Sequence, residues 1–190
     1  MVTWDGSVIR RTPRLTLRTF TLDDLADFHA LNADPEVYRW LGGSALTRAG
    51  SDEIAAWANT CWEAEQLGLL AVHRTDDRAF LGMCGLHRQE SAPDEVEIAW
   101  RLGSQHWGHG YATEAASEWV AYGFGVLNLP VIISMTDHPN VRSQAVMTRI
   151  GMTFRNESRI VDDGQEFDVA VYALTADRWR EGQQREPDPR

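Results

Sequence analysis

The sequence predicts an α/β domain of the α+β type, in which an antiparallel β-meander is followed by a strand–helix–strand crossover. Three strand-like runs, at 69–74, 80–88 and 95–102, are joined by short polar turns, which is the pattern of consecutive antiparallel strands. The apolar run 131–135, which follows a helical pattern, indicates a strand buried on both faces of a sheet. Because 43% of the 190 residues are apolar, one core is sufficient, and we expect a single domain over 1–178.

The N-terminal part predicts one strand and two helices. Residues 14–20, RLTLRTF, alternate like a half-buried strand, and Thr21 then caps a helix that ends near Asp34. A second helix is expected over 51–66, with Gly68 placed to end it. Its apolar residues recur at helical spacing and predict a stripe that faces the core: Ile54, Trp57, Ala58, Cys61 and Trp62.

Polar turns at 75–77 and 90–94 separate the strands of the meander. After the meander, small and aromatic residues mark one face of a helix: Ala112, Ala115, Ala116, Trp119, Val120 and Gly123. The remaining expected elements are a short helix over 141–150, strands near 153–156 and over 167–174, and a disordered tail over 179–190.

The composition excludes several classes of function. All 18 basic residues are arginines, so chemistry that needs a lysine, such as a P-loop or a Schiff base, is excluded. A net charge of −10 argues against nucleic-acid binding and suits a cationic or amine substrate. The two cysteines form no metal or redox motif, and no apolar run is long enough to span a bilayer. We therefore expect a cytoplasmic protein that does not enter a membrane.

A glycine loop is the most distinctive segment: QHWGHGYATEAA, residues 105–116. It leaves a strand and enters a helix, so unpaired backbone N–H groups converge where the helix dipole favours an anion. Gly108 and Gly110 would let a phosphate approach the backbone, although a tight turn with glycine at positive φ is the alternative. A dinucleotide site would need a third glycine where Thr113 stands, while Asp137 after the next strand favours such a site.

The same loop resembles the acetyl-CoA motif of the GNAT N-acetyltransferases, in the WGxGYATEA form of the RimJ/RimL-like branch. RTPRLTLRTFTLDDL, DPEVYRWLGG and HPNVRSQAVMTRIGMTFRNE are similar to further segments of that branch, and the matching segments span 12–174 in the family's order. The resemblance implies a mixed, strongly bent central sheet with splayed middle strands, flanked by helices.

The resemblance also implies where acetyl-CoA, the cosubstrate, would bind. Its pantetheine arm would lie along the backbone of Trp100, Arg101 and Leu102. Gln105 opens the family's signature for the pyrophosphate, and Asn140 either caps the next helix or contacts the coenzyme. The loop residues that would hold the pyrophosphate are Trp107, Gly108, His109, Gly110, Tyr111, Ala112 and Thr113. His106 and His109 lack a third ligand, so no metal is expected.

Acetyl transfer to an amine needs a base for the amine and a donor for the departing thiolate. Glu97 matches a strand glutamate that acts as base in several GNAT enzymes; the alternatives are an ion pair with Arg101, or Glu95 as the base. Many family members donate a proton from a tyrosine, but Met147 stands at that position. Ser143, where the RimL-like branch has a serine, is the predicted partner of the sulfur.

The sequence thus predicts an acetyl-CoA-dependent N-acetyltransferase that acts on a primary amine, either a protein N-terminus or a small amine. The alternatives are a non-catalytic acyl-CoA-binding domain of GNAT type and a dinucleotide-binding enzyme. Trp40, beside Gly42 and Gly43, is the residue expected to contact the acceptor. The family resemblance suggests a homodimer.

Overall fold

The computed structural model describes residues 2–89, 92–162 and 165–184. Its strands form one mixed sheet in the order β1-β2-β3-β4-β5-β6-β8-β7, with helices packed on it. This confirms the predicted α/β class with a mixed sheet. The strands are β1 Val8–Arg11, β2 Leu15–Arg18, β3 Gly68–Arg74, β4 Phe80–Gln89, β5 Ala92–Leu102, β6 Val131–Asp137, β7 Thr153–Asp162 and β8 Gln165–Thr175. The helices are α1 Leu25–Asn32, α2 Pro35–Tyr38, α3 Arg48–Glu65, α4 Tyr111–Gly125, α5 Val141–Arg149 and α6 Ala176–Gln184.

The two middle strands of the sheet separate from each other. Strands β3, β4 and β5 pair antiparallel, as predicted, and α4 then carries the chain to β6, which runs parallel to β5. In the described part of both strands, the β5–β6 register contains one pair, Glu97 opposite Ile133. Beyond that pair β5 continues beside β4 as far as Leu102. The opening that results is called the β5–β6 cleft below.

The core lies on both faces of the sheet. Helix α4 buries Trp119 completely, in a cluster that includes Leu70 of β3. On the opposite face, α1 buries Phe28 in a second cluster that includes Leu69. Successive side chains of a strand point to opposite faces, so β3 needs apolar residues at consecutive positions. The helices thereby hold the central strands from both sides.

A buried carboxylate ties the start of the first helices to the sheet. Asp24 is 3% exposed and accepts two hydrogen bonds from the Arg18 guanidinium, each of 2.7 Å. It also accepts the Thr21 N–H at 2.7 Å and lies 3.0 Å from His73 Nε2. Burial opposes ionisation, but the contacts with His73, Arg18 and Thr21 outweigh it and hold the pKa of Asp24 well below its ordinary value.

Two expectations for α3 were wrong. The helix comprises Arg48–Glu65, close to the expected 51–66, but the residue that ends it is Gln66, in the left-handed conformation (φ 56°), and not Gly68. Gly68 serves packing instead, because a Cβ there would lie 2.7 Å from the carbonyl oxygen of Ala58. Trp57 is not in the core but 41% exposed, whereas Trp62 packs against the core as expected.

Three short elements escaped the sequence prediction: β1, α2 and α6. The tail predicted from residue 179 is helical as far as Gln184, and 185–190 lie outside the described residues. Residues 90 and 91 of the predicted turn also lie outside them, and β5 already begins at Ala92. Among the helices that the structure describes, none has the length and apolar character needed to cross a membrane.

Candidate active site

A cavity of about 1410 Å³ opens at the β5–β6 cleft. One end, the loop end, is bounded by the glycine loop and α5; the other, the helix end, is bounded by α2, α3 and the β7–β8 strands. The predicted site residues that line it are Trp40, Glu97, Trp100, Arg101, Leu102, Trp107, Gly108, His109, Gly110, Tyr111, Ala112, Thr113, Asn140 and Ser143. Gln105 does not line it, because its exposed side chain lies against Gly103.

The glycine loop presents backbone donors to the cavity. Gly108 and Gly110 have φ of 80° and 79°, a conformation that residues with a Cβ adopt at a cost. Gly110 is the N-cap of α4 and has no side chain to bond the first N–H groups of the helix. The N–H of Glu114 makes a helical bond to the Gly110 carbonyl, at 3.0 Å. The N–H groups of Tyr111, Ala112 and Thr113 therefore lie before the first hydrogen bond of the helix, as in an anion-binding site at a helix N-terminus.

An arginine just before β2, Arg14, holds this loop in place. Arg14 Nε lies 2.6 Å from a carboxylate oxygen of Glu114, and Arg14 Nη1 donates to the His109 carbonyl at 3.0 Å. The guanidinium also stands 4.7 Å from the ring centre of Tyr111. Burial opposes ionisation of Glu114, but the hydrogen bonds from Thr12 and Arg14 outweigh it and lower its pKa. These contacts hold the loop and the first turn of α4 in one arrangement.

Trp107 joins the loop to the end of β5. Its indole Nε1 donates to the Leu102 carbonyl at 2.8 Å, and the Arg142 guanidinium of α5 lies 4.9 Å from the centre of its rings. An arginine stacked on an aromatic ring is favourable and keeps its donors available at the edge. The loop end therefore combines free helix amides with two arginines, Arg14 and Arg142, which both line the cavity.

Side chains bridge β5 and β6 where the strands begin to separate. Ser134 Oγ donates to the Ile98 carbonyl at 2.9 Å, and the Met135 N–H donates to Glu97 Oε1 at 3.2 Å. Both bridges replace the strand-to-strand hydrogen bonds of a regular parallel pair. Glu97 thus occupies the apex of the β5–β6 cleft.

Glu97 is 5% exposed and faces a histidine of the neighbouring strand. His87 Nε2 lies 3.5 Å from Glu97 Oε2, and His87 Nδ1 lies 3.1 Å from the Arg88 carbonyl, which can only accept. Burial lowers the pKa of His87, while the hydrogen bond to that carbonyl opposes the change. Trp57 packs edge-on against His87, with 5.8 Å between ring centres. The centre of the cavity thus holds a carboxylate and an imidazole side by side.

The N-terminus of α5 supplies the remaining predicted side chains. Asn140 caps the helix, as expected, through an Oδ1 that accepts the Ser143 N–H at 3.2 Å. Ser143 is partly buried and lines the cavity, whereas Met147 one turn later is completely buried in the core. The Ser143 hydroxyl is therefore a side-chain donor that this turn of α5 offers to the cavity, beside the Arg142 guanidinium.

The cavity residues that the sequence did not assign to the site include Arg14, Trp57, His87 and Arg142. His87 could have been found from strand register, because it stands directly opposite Glu97 in the β4–β5 pair. Trp57 followed the helical stripe and was assigned to the core for that reason. Nothing in the local pattern around Arg14 or Arg142 distinguishes them from other surface arginines.

Comparison with known proteins identifies the family. The family model described as "Acetyltransferase (GNAT) domain" matches residues 14–153, well over half of the chain. The chain belongs to the GNAT acetyltransferase family. This match confirms the resemblance to the GNAT family. The protein is an N-acetyltransferase, and relatives that match most of its length are named as N-acetyltransferases. In the described residues no cluster of three or more histidine, cysteine or acidic side chains is arranged to hold a metal ion.

Three relatives illustrate the similarity. An uncharacterized N-acetyltransferase, p20 of Bacillus licheniformis, is 28% identical over 86% of this chain and 93% of its own. The FsC-acetyl coenzyme A-N(2)-transacetylase of Aspergillus fumigatus is 35% identical over 78% of this chain and 68% of its own. The crystal structure of an acetyltransferase from Agrobacterium tumefaciens superposes with a TM-score of 0.75 at 28% identity, covering 88% and 95% of the two chains.

Proposed function

We propose that this GNAT enzyme takes acetyl-CoA as donor and transfers the acetyl group to a primary amine that attacks the thioester directly. The observation that carries the proposal is the β5–β6 cleft, with an amide-rich glycine loop at one end and a buried carboxylate at its apex. The fungal relative, named for acetyl coenzyme A, supports the donor. The WGHGYATEA sequence of the loop supports a place in the RimJ/RimL-like branch.

At the loop end, the backbone from Trp107 to Ala112 would hold the pyrophosphate of acetyl-CoA, with the Thr113 hydroxyl beside it. Free amides of a helix N-terminus and its dipole both favour that charge. The pantetheine arm would then lie along β5 from Trp100 to Leu102, where the β5–β6 register has ended. The Arg101 guanidinium donates to Asn32 Oδ1 at 2.7 Å, so its side chain is directed to α1 and its backbone serves the cleft.

At the apex, Glu97 would take the proton of the incoming ammonium group, directly or through a water molecule. The neutral nitrogen forms a bond to the carbonyl carbon of the thioester, and the C–S bond breaks after the tetrahedral intermediate. A strand N–H at the open edge of β5 would stabilise the oxyanion. Ser143, in the first turn of α5, would donate a hydrogen bond to the departing thiolate, and the proton that the nitrogen loses as the amide forms would convert this thiolate to the thiol.

Two measurements test the proposal. Acetyl-CoA at a hundred times its dissociation constant should stabilise the protein by about 2.7 kcal/mol, which raises the melting temperature by roughly 5–11 °C for a chain of this size. NAD(P) at the same concentration should leave it unchanged. Thiol release from acetyl-CoA should then depend on an added amine. Stabilisation by NAD(P), or no thiol release with any amine, would contradict the proposal.

A further inference from the structure

The helix end of the cavity is lined by apolar side chains from four separate parts of the fold. They come from α2 and the loop after it, from α3, from the central strands, and from β7 and β8, and they include Trp40, Leu41, Ile54, Trp57, Met83 and Phe167. Two of them, Trp57 and Leu41, are 41% and 37% exposed. Large apolar side chains that stay exposed inside a concave site are the usual lining of a pocket for an apolar group.

The N-terminal and C-terminal parts of the chain close over this end. Gly42, in the loop after α2, lines the cavity, and Phe167 Cζ lies 3.9 Å from the position that a Cβ would take at Gly42. Trp40, in the same loop, lines the same space, and the Arg39 guanidinium lies 5.0 Å from the centre of its ring. The apolar side chains therefore face one shared space rather than separate surfaces.

The distance from this apolar space to the proposed base is short. Trp57 packs on His87, and His87 lies 3.5 Å from Glu97. One side chain, His87, thus separates the Trp57 ring from Glu97, and a group joined by a short linker to an amine at Glu97 would extend toward that ring. A flat apolar group gains both burial and ring stacking there.

The charged groups of the cavity do not favour a polycation. Its lining includes three carboxylates among the described residues: Glu97, Glu114 and Asp137. Glu114 is engaged by Arg14 in the glycine loop, and burial raises the pKa of Asp137. Glu97, in the proposed reaction, takes the proton of one amine only. The overall charge of −10 is therefore not concentrated in this space.

We propose that the acceptor is a primary amine joined by a short linker to an aromatic or bulky apolar group. The proposal rests on the proposed acetyl transfer and specifies its acceptor. The same chemistry is found in small arylalkylamines and in peptides whose first residue is aromatic, and the two sources can be distinguished experimentally.

The test compares kcat/KM at saturating acetyl-CoA for 2-phenylethylamine, ethylamine, spermidine and a short peptide amide that begins with phenylalanine. A well-matched apolar group should give 2-phenylethylamine an advantage of at least about tenfold over ethylamine and over spermidine. Trp57→Ala should lower the ratio of 2-phenylethylamine to ethylamine by about fivefold or more. Phe154→Ala is the matched control, because Phe154 is an aromatic side chain, 54% exposed, that does not line the cavity. If the peptide exceeds the small amine, the source is a protein N-terminus.

A preference for spermidine, an equal rate with ethylamine, or a Trp57→Ala variant that keeps the wild-type ratio would overturn the proposal. Calorimetric titration of 2-phenylethylamine into the CoA-saturated protein measures acceptor binding in the absence of acetyl transfer. It therefore distinguishes a failure of the proposed acceptor site from a failure of the proposed function. Binding that Trp57→Ala weakens, without acetyl transfer, would refute the transfer and support the site. Transfer to spermidine without binding of the aromatic amine would refute the site and leave the transfer standing.

Discussion

Replacement of Glu97 by glutamine tests the proposed base with little disturbance of the structure. The glutamine Oε1 can still accept the Met135 N–H that Glu97 accepts at 3.2 Å. Its NH₂ group can donate to His87 Nε2, since His87 Nδ1 faces the Arg88 carbonyl and carries the proton of the neutral ring. Each polar partner keeps a hydrogen bond, so the free energy of unfolding should change by no more than about 1 kcal/mol.

The expected loss of activity follows from the ionisation of the acceptor. An alkyl amine with a pKa of about 10.4 is roughly one part in a thousand neutral at about pH 7.4. A base that removes this proton within the complex can raise the rate by about 10³, which agrees with the usual 10²–10⁴ for general bases. Glu97→Gln should therefore lower kcat/KM by about 10²–10³ at this pH. Each unit of higher pH should restore the variant's rate about tenfold, until the amine itself is neutral.

The assay measures thiol release at saturating acetyl-CoA between about pH 7 and 10. A calorimetric titration with acetyl-CoA accompanies it, and the affinity of the variant should match that of the wild type. Glu95→Gln is the control, because Glu95 lies on the same strand, is more exposed and pairs with Arg155 outside the cavity lining. A Glu97→Gln variant with wild-type kcat/KM and a flat pH profile would show that Glu97 is not the base. A comparable loss in Glu95→Gln instead would transfer the role to Glu95.

Three further predictions concern the loop, α5 and the first helices. Gly110→Ala places a Cβ on a residue in the left-handed conformation (φ 79°), 3.5 Å from Arg14 Nη2. The substitution should lower the free energy of unfolding by about 1–2 kcal/mol and weaken the binding of acetyl-CoA measured by calorimetry. An unchanged affinity would show that the loop does not bind the donor. Ser143→Ala should slow single-turnover transfer about tenfold through loss of a hydrogen bond to a charged sulfur, and an unchanged rate would exclude that role. Asp24→Asn should destabilise by about 3–5 kcal/mol, because it leaves the Arg18 charge buried without its partner. Since the pKa of Asp24 is lower in the folded state, the ionised carboxylate contributes to stability above about pH 3.9, and this contribution is lost as the pH falls through the folded pKa. The melting temperature of Asp24→Asn should therefore vary less with pH than that of the wild type over this acidic range.

The elements with strong local signals were predictable. Alternating apolar and polar residues and polar turns predicted the β3–β5 meander, and an apolar face preceded by glycines predicted α4. The elements that were missed are short or held by distant contacts. Helix α2 has four residues, beginning with Pro35 after the Asp34 cap, too few for any period to show. Helix α6 is polar by composition and is held by Trp179 against Phe124 of α4.

The site was predictable where backbone geometry defines it and not where side chains from distant segments meet. The glycine loop carries its geometry in its own residues, since Gly108 and Gly110 are needed for positive φ. Trp57 repeats at helical spacing with true core residues, and periodicity alone cannot show that it faces a cavity. His87 required the β4–β5 register, which depends on pairing between strands rather than on a local pattern.

The apex of the β5–β6 cleft explains why one residue can serve both the fold and the reaction. A parallel pair that stops after one register position leaves strand donors and acceptors without strand partners, and such groups are costly when buried. Glu97 and Ser134 satisfy the first of them with side chains, at the Met135 N–H and the Ile98 carbonyl. The carboxylate that closes the apex is thereby held in a buried position next to His87. In the proposed reaction, this is where an amine would arrive to reach a thioester lying along β5. Because glutamine can make the bridge but cannot take the proton, and alanine can do neither, Glu97→Ala should lose stability as well as activity. A Glu97→Ala variant as stable as Glu97→Gln would show that the bridge does not hold the strands at this point.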